Sequence, residues 1–496
     1  MKRVSPLLLA MLLLAVPFFT ACGEEAPEPS SITESKTESQ TESEPETVFP
    51  LEEKYFDGRV VTILCCSRHT YGELQFVPNE ELQSNAINEA VIARNDLIEE
   101  NFGITIETIA EPFPVESLRL SVSAGLDEYD MICDTMMATM PVIPEGLFMP
   151  LDEYIDLKHA WWDPNATELL TLNDKHYLLS GDAILTDDDY TYLLLFNKDM
   201  YQKNADLVVK YGSPYQLVRE NKWTFDVLEE MMRAVSMPDE NGEWTIDATY
   251  GMLGSINIGN VFMNAAGLLP AEKTPDGGIQ ITMDRSMNVT TFDRVYTMFS
   301  NKRTTMFAER AGNFDAINES FKSGKALFYS TNASNISTFK NDPEFTISFG
   351  VLPNPKLNEA QEKYYHTINS GNSSVIGVAS TNKNNLEATC YLMELLGYYG
   401  ANTTFKSVNE AYYETTLKLQ AVESSEDAEM LDLIFKNRMY DIYTMMANWG
   451  SSPTLGQIYG VALQADTNTA TSLLDSKKQS IELAIEETLE KFRGME

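Results

Sequence analysis

The side chains that could do chemistry are few and widely spaced. The four histidines, His69, His159, His176 and His366, form no H-E-x-x-H pair and no His/Cys cluster of zinc-ligand spacing. Cys65 and Cys66 are neighbours and point to opposite faces of a strand, so they are not expected to bond each other. Cys133 could reach one of them from an adjacent strand, and buried free thiols are the expected state of all three and of Cys390. Asp187-Asp188-Asp189 lacks the spaced ligands and glycine of a calcium loop and reads as a solvated turn. Ser323-Gly324-Lys325-Ala326 has Glu319 where a phosphate loop needs its first glycine and Ala326 where it needs Ser or Thr. No metal site or cofactor is expected.

What remains is a chemistry of recognition. Ser67-Arg68-His69-Thr70-Tyr71 follows a predicted strand, and its cationic, aromatic and polar mix suits a hydroxyl-rich ligand. Aromatic faces stack on the C–H surfaces of sugars, while Arg68 and His69 can donate hydrogen bonds. A second strand hands over to Asp134, a candidate acceptor, and to Met136-Met137, which read as packing residues. Trp161 and Trp162 are adjacent and cannot share a helix face, so one is expected in the core and the other, Trp162, to be freer. Trp449 stands in a turn-rich stretch with no evident core to fill and is the foremost candidate for an exposed stacking platform.

The elements that must position these groups follow from periodicity. Val60–Cys66 is apolar and β-branched, a buried strand. Ile87, Val91, Arg94 and Ile98 recur at helical spacing until Gly103, and Ile104–Ile109 alternates as a strand. Val115, Leu118 and Val122 mark a helix ended by Gly125, and Tyr129–Cys133 is a third strand. This order predicts a parallel α/β sheet with right-handed crossovers. Further along, Leu193–Phe196 and Ser374–Ala379 read as strands. Trp223-Thr224-Phe225-Asp226 opens a helix that Thr224 could cap, and a last helix runs from about Ser472 to Arg493. There is no internal repeat.

Charge and the leading segment set the compartment. The 496 residues carry a formal charge of −38, which repels nucleic acid and anionic lipid. Lys2 and Arg3, the apolar run Leu7–Phe19 and Phe19-Thr20-Ala21-Cys22 have the layout of a bacterial lipoprotein signal. The expected product begins at Cys22, with lipid on its thiol. Gly23–Val48 holds eight glutamates against Lys36 alone and has the composition of an extended disordered tether. The remaining body is too long for one ordinary core and fits two lobes. These features place the chain on the outer face of the cytoplasmic membrane, lipid-anchored.

Several segments, in order, carry a resemblance. They are Asn85–Ala90 through Arg94-Asn95, Ala124-Gly125 with Tyr129–Ile132, Trp161-Trp162-Asp163, Gly181-Asp182, Phe196–Tyr201, Trp223–Asp226, Tyr250-Gly251, Gly324–Phe328, Met430–Phe435 through Arg438, Tyr440 and Asp441, and Asn448-Trp449-Gly450. Together they resemble the extracellular solute-binding lipoproteins of bacterial ABC importers, in the maltodextrin-binding branch and its clostridial type. The resemblance implies a type II periplasmic-binding-protein-like α/β fold: two lobes, each a mostly parallel sheet flanked by helices, joined by a hinge. It implies crossings near Asp187–Thr191 and Asn369–Val375 and a third after Gly400. Residues 51–187 with about 372–402 would form one lobe, and 188–371 with about 403–496 the other. Asp182 and Tyr190 flank the first crossing and Asn369 the second, which makes them candidate contacts. The function implied is monomeric, non-enzymatic capture of a carbohydrate for separate ABC permease subunits. Capture of a peptide or other polar solute, a surface glycoside hydrolase with paired carboxylates, and an adhesion lipoprotein are the competing readings.

Overall fold

β1 (Arg59–Cys66), β2 (Ile104–Glu111) and β3 (Met131–Thr135) lie side by side in parallel, with Ile63 opposite both Thr108 and Met131. The computed structural model describes residues 49–79, 81, 85–171, 174–401 and 407–495. The signal, Cys22 and the tether lie outside these residues up to Phe49, and so does the expected third crossing at 402–406.

The first connection shows why the sequence folds this way locally. Asn85 caps the helix Ala86–Phe102 by accepting the N–H groups of Ile87 and Asn88. Gly103 ends it at φ 65°, where a Cβ would meet the Tyr55 ring at 2.9 Å. The helix Pro114–Ala124 then ends at Gly125, also left-handed, and the strand–helix alternation read from the sequence is met. Thr224 precedes the helix Phe225–Val235 but makes no side-chain capping bond. Trp223 beside it is buried and donates its indole N–H to the Pro353 carbonyl at 2.8 Å.

After β4 (Leu178–Leu179) the chain enters β5 (Tyr192–Asn197) and then β6 (Tyr250–Gly254), the hairpin β7 (Ala271–Lys273) and β8 (Ile279–Ile281), β9 (Thr305–Phe307), β10 (Ala326–Asn332) and β11 (Phe349–Leu352). β12 (His366–Thr367), β13 (Ser374–Val378) and β14 (Arg438–Met439) complete the strands among the described residues. Two five-stranded sheets result, in the orders β2-β1-β3-β13-β4 and β11-β5-β10-β6-β9. The sheets are mixed rather than mostly parallel in their pairings. β13 runs against both β3 and β4, and β5 runs against both β10 and β11. In each sheet the reversed strand is the one the chain enters on arriving from the other sheet.

The two passages meet. Thr191 forms an antiparallel bridge with Ile368, and Asn369 donates its N–H to the Tyr190 carbonyl at 3.0 Å. β12 pairs in parallel with β14, His366 opposite Arg438 and Thr367 opposite Met439. Residues 53–496 form one compact unit. The final helix, Ala470–Arg493, buries Ile481, Ile485, Leu489 and Phe492, the face its spacing predicts. All four described cysteines are buried free thiols, Cys65 in register with Cys133.

Candidate functional site

Where the passages between the sheets meet β14, a cavity of about 250 Å³ opens. Its wall combines Asn369, Ser370 and Gly371 from the second passage with Asn257 and Asn260 at the start of the helix Ile258–Ala265. Asp441, Tyr443 and Thr444 line it after β14, and Met137, beyond β3, reaches it from the first sheet. By the strand rule, a ligand site belongs at the carboxyl ends of strands, where β3 and β6 deliver Met137 and Asn257.

Asp441 organises the floor. It is buried, and its Oδ2 accepts Thr367 Oγ1 at 2.9 Å and Asn264 Nδ2 at 3.1 Å. Its Oδ1 accepts the Thr444 N–H at 2.9 Å and the Thr444 hydroxyl. Burial pushes the Asp441 carboxyl above its ordinary value, and these donors pull it back. Tyr443 donates its hydroxyl to Asn264 Oδ1 at 2.6 Å, and Ser370 donates to Thr444 Oγ1 at 2.9 Å. Asn260 gives its amide N–H to the Gly456 carbonyl at 2.6 Å, while its Oδ1 is buried with no protein partner. The lining is therefore amides, hydroxyls and one carboxylate, and among the described residues it contains no cation. Such a surface exchanges hydrogen bonds with neutral polar groups and offers no counter-charge to an anion.

A second group of charges lies on the other side of the same strand. Arg438 pairs with Asp188, with Asp187 at 3.5 Å and with Asp163 at 3.7 Å. Tyr440 donates to Asp163 and Asp187, each at 3.3 Å. Asp182 accepts Asn409 Nδ2 at 3.0 Å, and burial, reinforced by the charge of Asp187, lifts its carboxyl to about 6. Asp189 accepts the Tyr412 hydroxyl at 3.0 Å, and burial lifts it to about 7. The Asp187–Asp189 run is thus a buried ion network and not a solvated turn. Its partner Arg438 is 250 residues away from Asp188, beyond the reach of any local pattern.

The residues singled out by sequence are spread over several surroundings. Asn369 lines the cavity. Arg68 is exposed and faces Asp134 at 3.8 Å, and Asp134 is buried, accepting the N–H groups of Thr135 and Val115. His69 is buried against Tyr190, its Nδ1 3.3 Å from the tyrosine hydroxyl, and burial lowers it to about 4. Tyr71 packs edge-on to Tyr412 in the core, 5.4 Å between ring centres. Trp161 and Trp162 are both buried, and both donate indole N–H groups to Glu394, at 2.8 and 3.2 Å. Trp162 is therefore not the freer of the pair. Trp449 is 1% exposed and donates to Thr488 Oγ1 at 3.2 Å, so the expected exposed platform is a core residue under the last helix.

Asn257, Asn260, Asp441 and Thr444 were not singled out as contacts. A signal for the first two was present: three asparagines, Asn257, Asn260 and Asn264, punctuate an otherwise apolar stretch. A polar side chain repeated inside a buried helix needs a partner, and a ligand is one possible partner.

Over 88% of its length the chain superposes on 97% of a cyclo/maltodextrin-binding protein complexed with maltotetraose, at 17% identity and TM-score 0.54. An ABC substrate-binding protein of Listeria monocytogenes in complex with cycloalternan matches at 13% identity and TM-score 0.54, over 88% of this chain and 99% of that one. The cyclic α-maltosyl-1,6-maltose binding protein of Arthrobacter globiformis matches at 13% identity and TM-score 0.56, over 86% and 99%. These likenesses establish the type II periplasmic-binding-protein fold. No curated protein matches the chain by sequence. Residues 94–406 match the family described as bacterial extracellular solute-binding protein, and the chain belongs to that family.

Proposed function

We propose that the protein captures a carbohydrate in the cavity beside Asn369 and Asp441 and delivers it to an ABC permease without altering it. The observation that carries this reading is the lining itself. Neutral amides and hydroxyls surround one buried, fully bonded carboxylate, with no cation among the described lining residues. A zwitterionic peptide needs a counter-charge at each end, and this wall supplies none for a carboxylate. Two of these structural neighbours hold maltotetraose and cycloalternan, and the same class of solute fits this wall. The meeting passages Tyr190–Thr191 and Ile368–Asn369 form the hinge of this reading, and the two sheets and their helices form its lobes. The protein acts as a monomer, held to the outer face of the membrane by lipid on Cys22.

Thermal shift with a panel of sugars and dipeptides, with product analysis on the same samples, tests the reading. A sugar at a hundred times its dissociation constant stabilises by about 2.7 kcal/mol. Stabilisation by a sugar with no hydrolysis is expected. A response to dipeptides alone, release of product, or no response to any small solute overturns it in favour of peptide capture, a hydrolase or adhesion respectively. Fatty-acid labelling of the wild type against Cys22→Ala tests the anchor.

A further inference from the structure

A second cavity, of about 410 Å³, adjoins β14 at Arg438 and Tyr440 and shares no lining residue with the cavity beside Asp441. Three lysines stand in its wall. Lys273, which ends β7, donates to the carbonyls of Glu168, at 2.7 Å, and of Thr171, at the C-terminal end of the helix Pro164–Leu170. These two bonds leave one of its three ammonium hydrogens unspent. Lys363 and Lys436 are exposed. Among the described residues none of the three forms an ion pair, although the chain carries a formal charge of −38. The carboxylates of the same wall do not neutralise them. Glu272 is paired with Arg285 at 2.9 Å, and Glu168 meets Lys273 through its backbone carbonyl. Arg438 commits its terminal nitrogens to Asp163, Asp187 and Asp188, and its Nε is buried with no protein partner.

We infer that this second cavity binds a small organic anion, its charged head held by Lys273, Lys363 and Lys436 and its apolar body by Leu169, Leu269 and Tyr365. The inference stands apart from the carbohydrate reading, since it concerns a different cavity and a charged ligand. The volume falls within the roughly 300–1,000 Å³ of pockets that enclose small ligands. Burial lowers Lys273 to about 8, and the charge of Glu168 offsets this only in part. A half-buried cation without a contacting carboxylate is one side of an ion pair, and an anionic head completes it with charge-assisted hydrogen bonds. Lys363 and Lys436 bring two further cations on flexible stems to the same head. Leu169, Leu269 and the Tyr365 ring give the wall an apolar portion. The ring is fixed against Gly267, where a Cβ would meet it at 3.1 Å. A bare inorganic ion leaves that portion wet, whereas a ligand with an apolar body covers it.

Titration calorimetry of the full chain at constant ionic strength tests this. Phenyl phosphate and phenylacetate serve as organic anions, inorganic phosphate as the bare charge and benzyl alcohol as the bare apolar body. At least one organic anion is expected to bind about tenfold or more tightly than either inorganic phosphate or benzyl alcohol. Replacing both exposed lysines, Lys363→Gln with Lys436→Gln, should weaken that anion by about tenfold or more at an unchanged melting temperature. Lys363→Arg with Lys436→Arg should retain it, and Lys491→Gln on the last helix should have no effect. No binding of either organic anion, equally tight binding of inorganic phosphate or benzyl alcohol, or full affinity in the double Gln variant overturns the inference. An equal loss in Lys491→Gln overturns it too, because the attraction would then belong to the surface at large. None of these outcomes bears on sugar capture.

Discussion

Arg438 and Asp441 are three residues apart, yet Arg438 is enclosed by Asp163 and by Asp187 and Asp188 of the first passage while Asp441 forms the floor of the cavity. Tyr440 faces the same carboxylates as Arg438, so side chains of one short segment serve two polar networks. Removing the guanidinium leaves Asp163, Asp187 and Asp188 without their shared cation. Arg438→Gln is expected to cost about 3–5 kcal/mol of stability, read as a lower urea midpoint. An unchanged midpoint would show that the network contributes nothing to folding.

The same carboxylates set a pH dependence. Asp182 at about 6 and Asp189 at about 7 stand above the ordinary 3.8, and burial raises Asp187 too, against the pull of Arg438. A carboxyl whose folded value is raised contributes stability that is complete below its unfolded value and lost as pH rises through the folded one. The melting temperature should therefore fall by several degrees between pH 5 and pH 8. Asp182→Asn and Asp189→Asn should flatten that slope. A wild-type profile that rises across this range would contradict the assignment.

Asp441 is fully bonded within the protein, so its substitution acts on both the cavity and the fold. Asp441→Asn keeps the size but replaces one acceptor oxygen with a donor facing Thr367, Asn264 or Thr444. The expected loss is about 1.5–3 kcal/mol, seen as a drop in melting temperature and a weakening of sugar affinity by at least about tenfold. Full affinity in this variant would remove Asp441 from the site.

Glu394 is the anchor of the two adjacent tryptophans. It accepts Trp161, Trp162 and the Asp156 N–H, and His159 lies within 3.3 Å of both its oxygens. Glu394→Ala strands the two indole donors in the interior, at about 1–3 kcal/mol for each one left unpaired. Calorimetric unfolding should show the loss, and solute affinity should hold in the folded fraction. A parallel loss of affinity would place this cluster in the solute site.

The strands and helices were legible because their signals are local. The β-branched run before Cys66, the helical spacing of Ile87, Val91, Arg94 and Ile98, and the stop at Gly103 each lie within one element. The site was less legible because burial is decided by distant partners. Trp449 sits among turn residues, but the helix that covers it begins at Ala470. Asp187–Asp189 looks solvated until Arg438 arrives from β14. Asn369 was found through the resemblance and Asn260 is marked by the recurrence of asparagines in an apolar stretch, whereas Asp441 contacts the cavity through packing that spacing does not encode.

The placement of the tryptophans has a practical consequence for spectroscopy. Trp161, Trp162, Trp223 and Trp449 are buried and hydrogen-bonded to Glu394, Pro353 and Thr488, Trp244 is half-buried against the Tyr250 ring, and none of the five lines the cavity. Their emission reports the integrity of the interior rather than the occupancy of the cavity. A solute titration followed by intrinsic fluorescence would stay almost flat even at saturation, and an optical probe of capture has to be introduced at the rim, where Met137 already stands half in water.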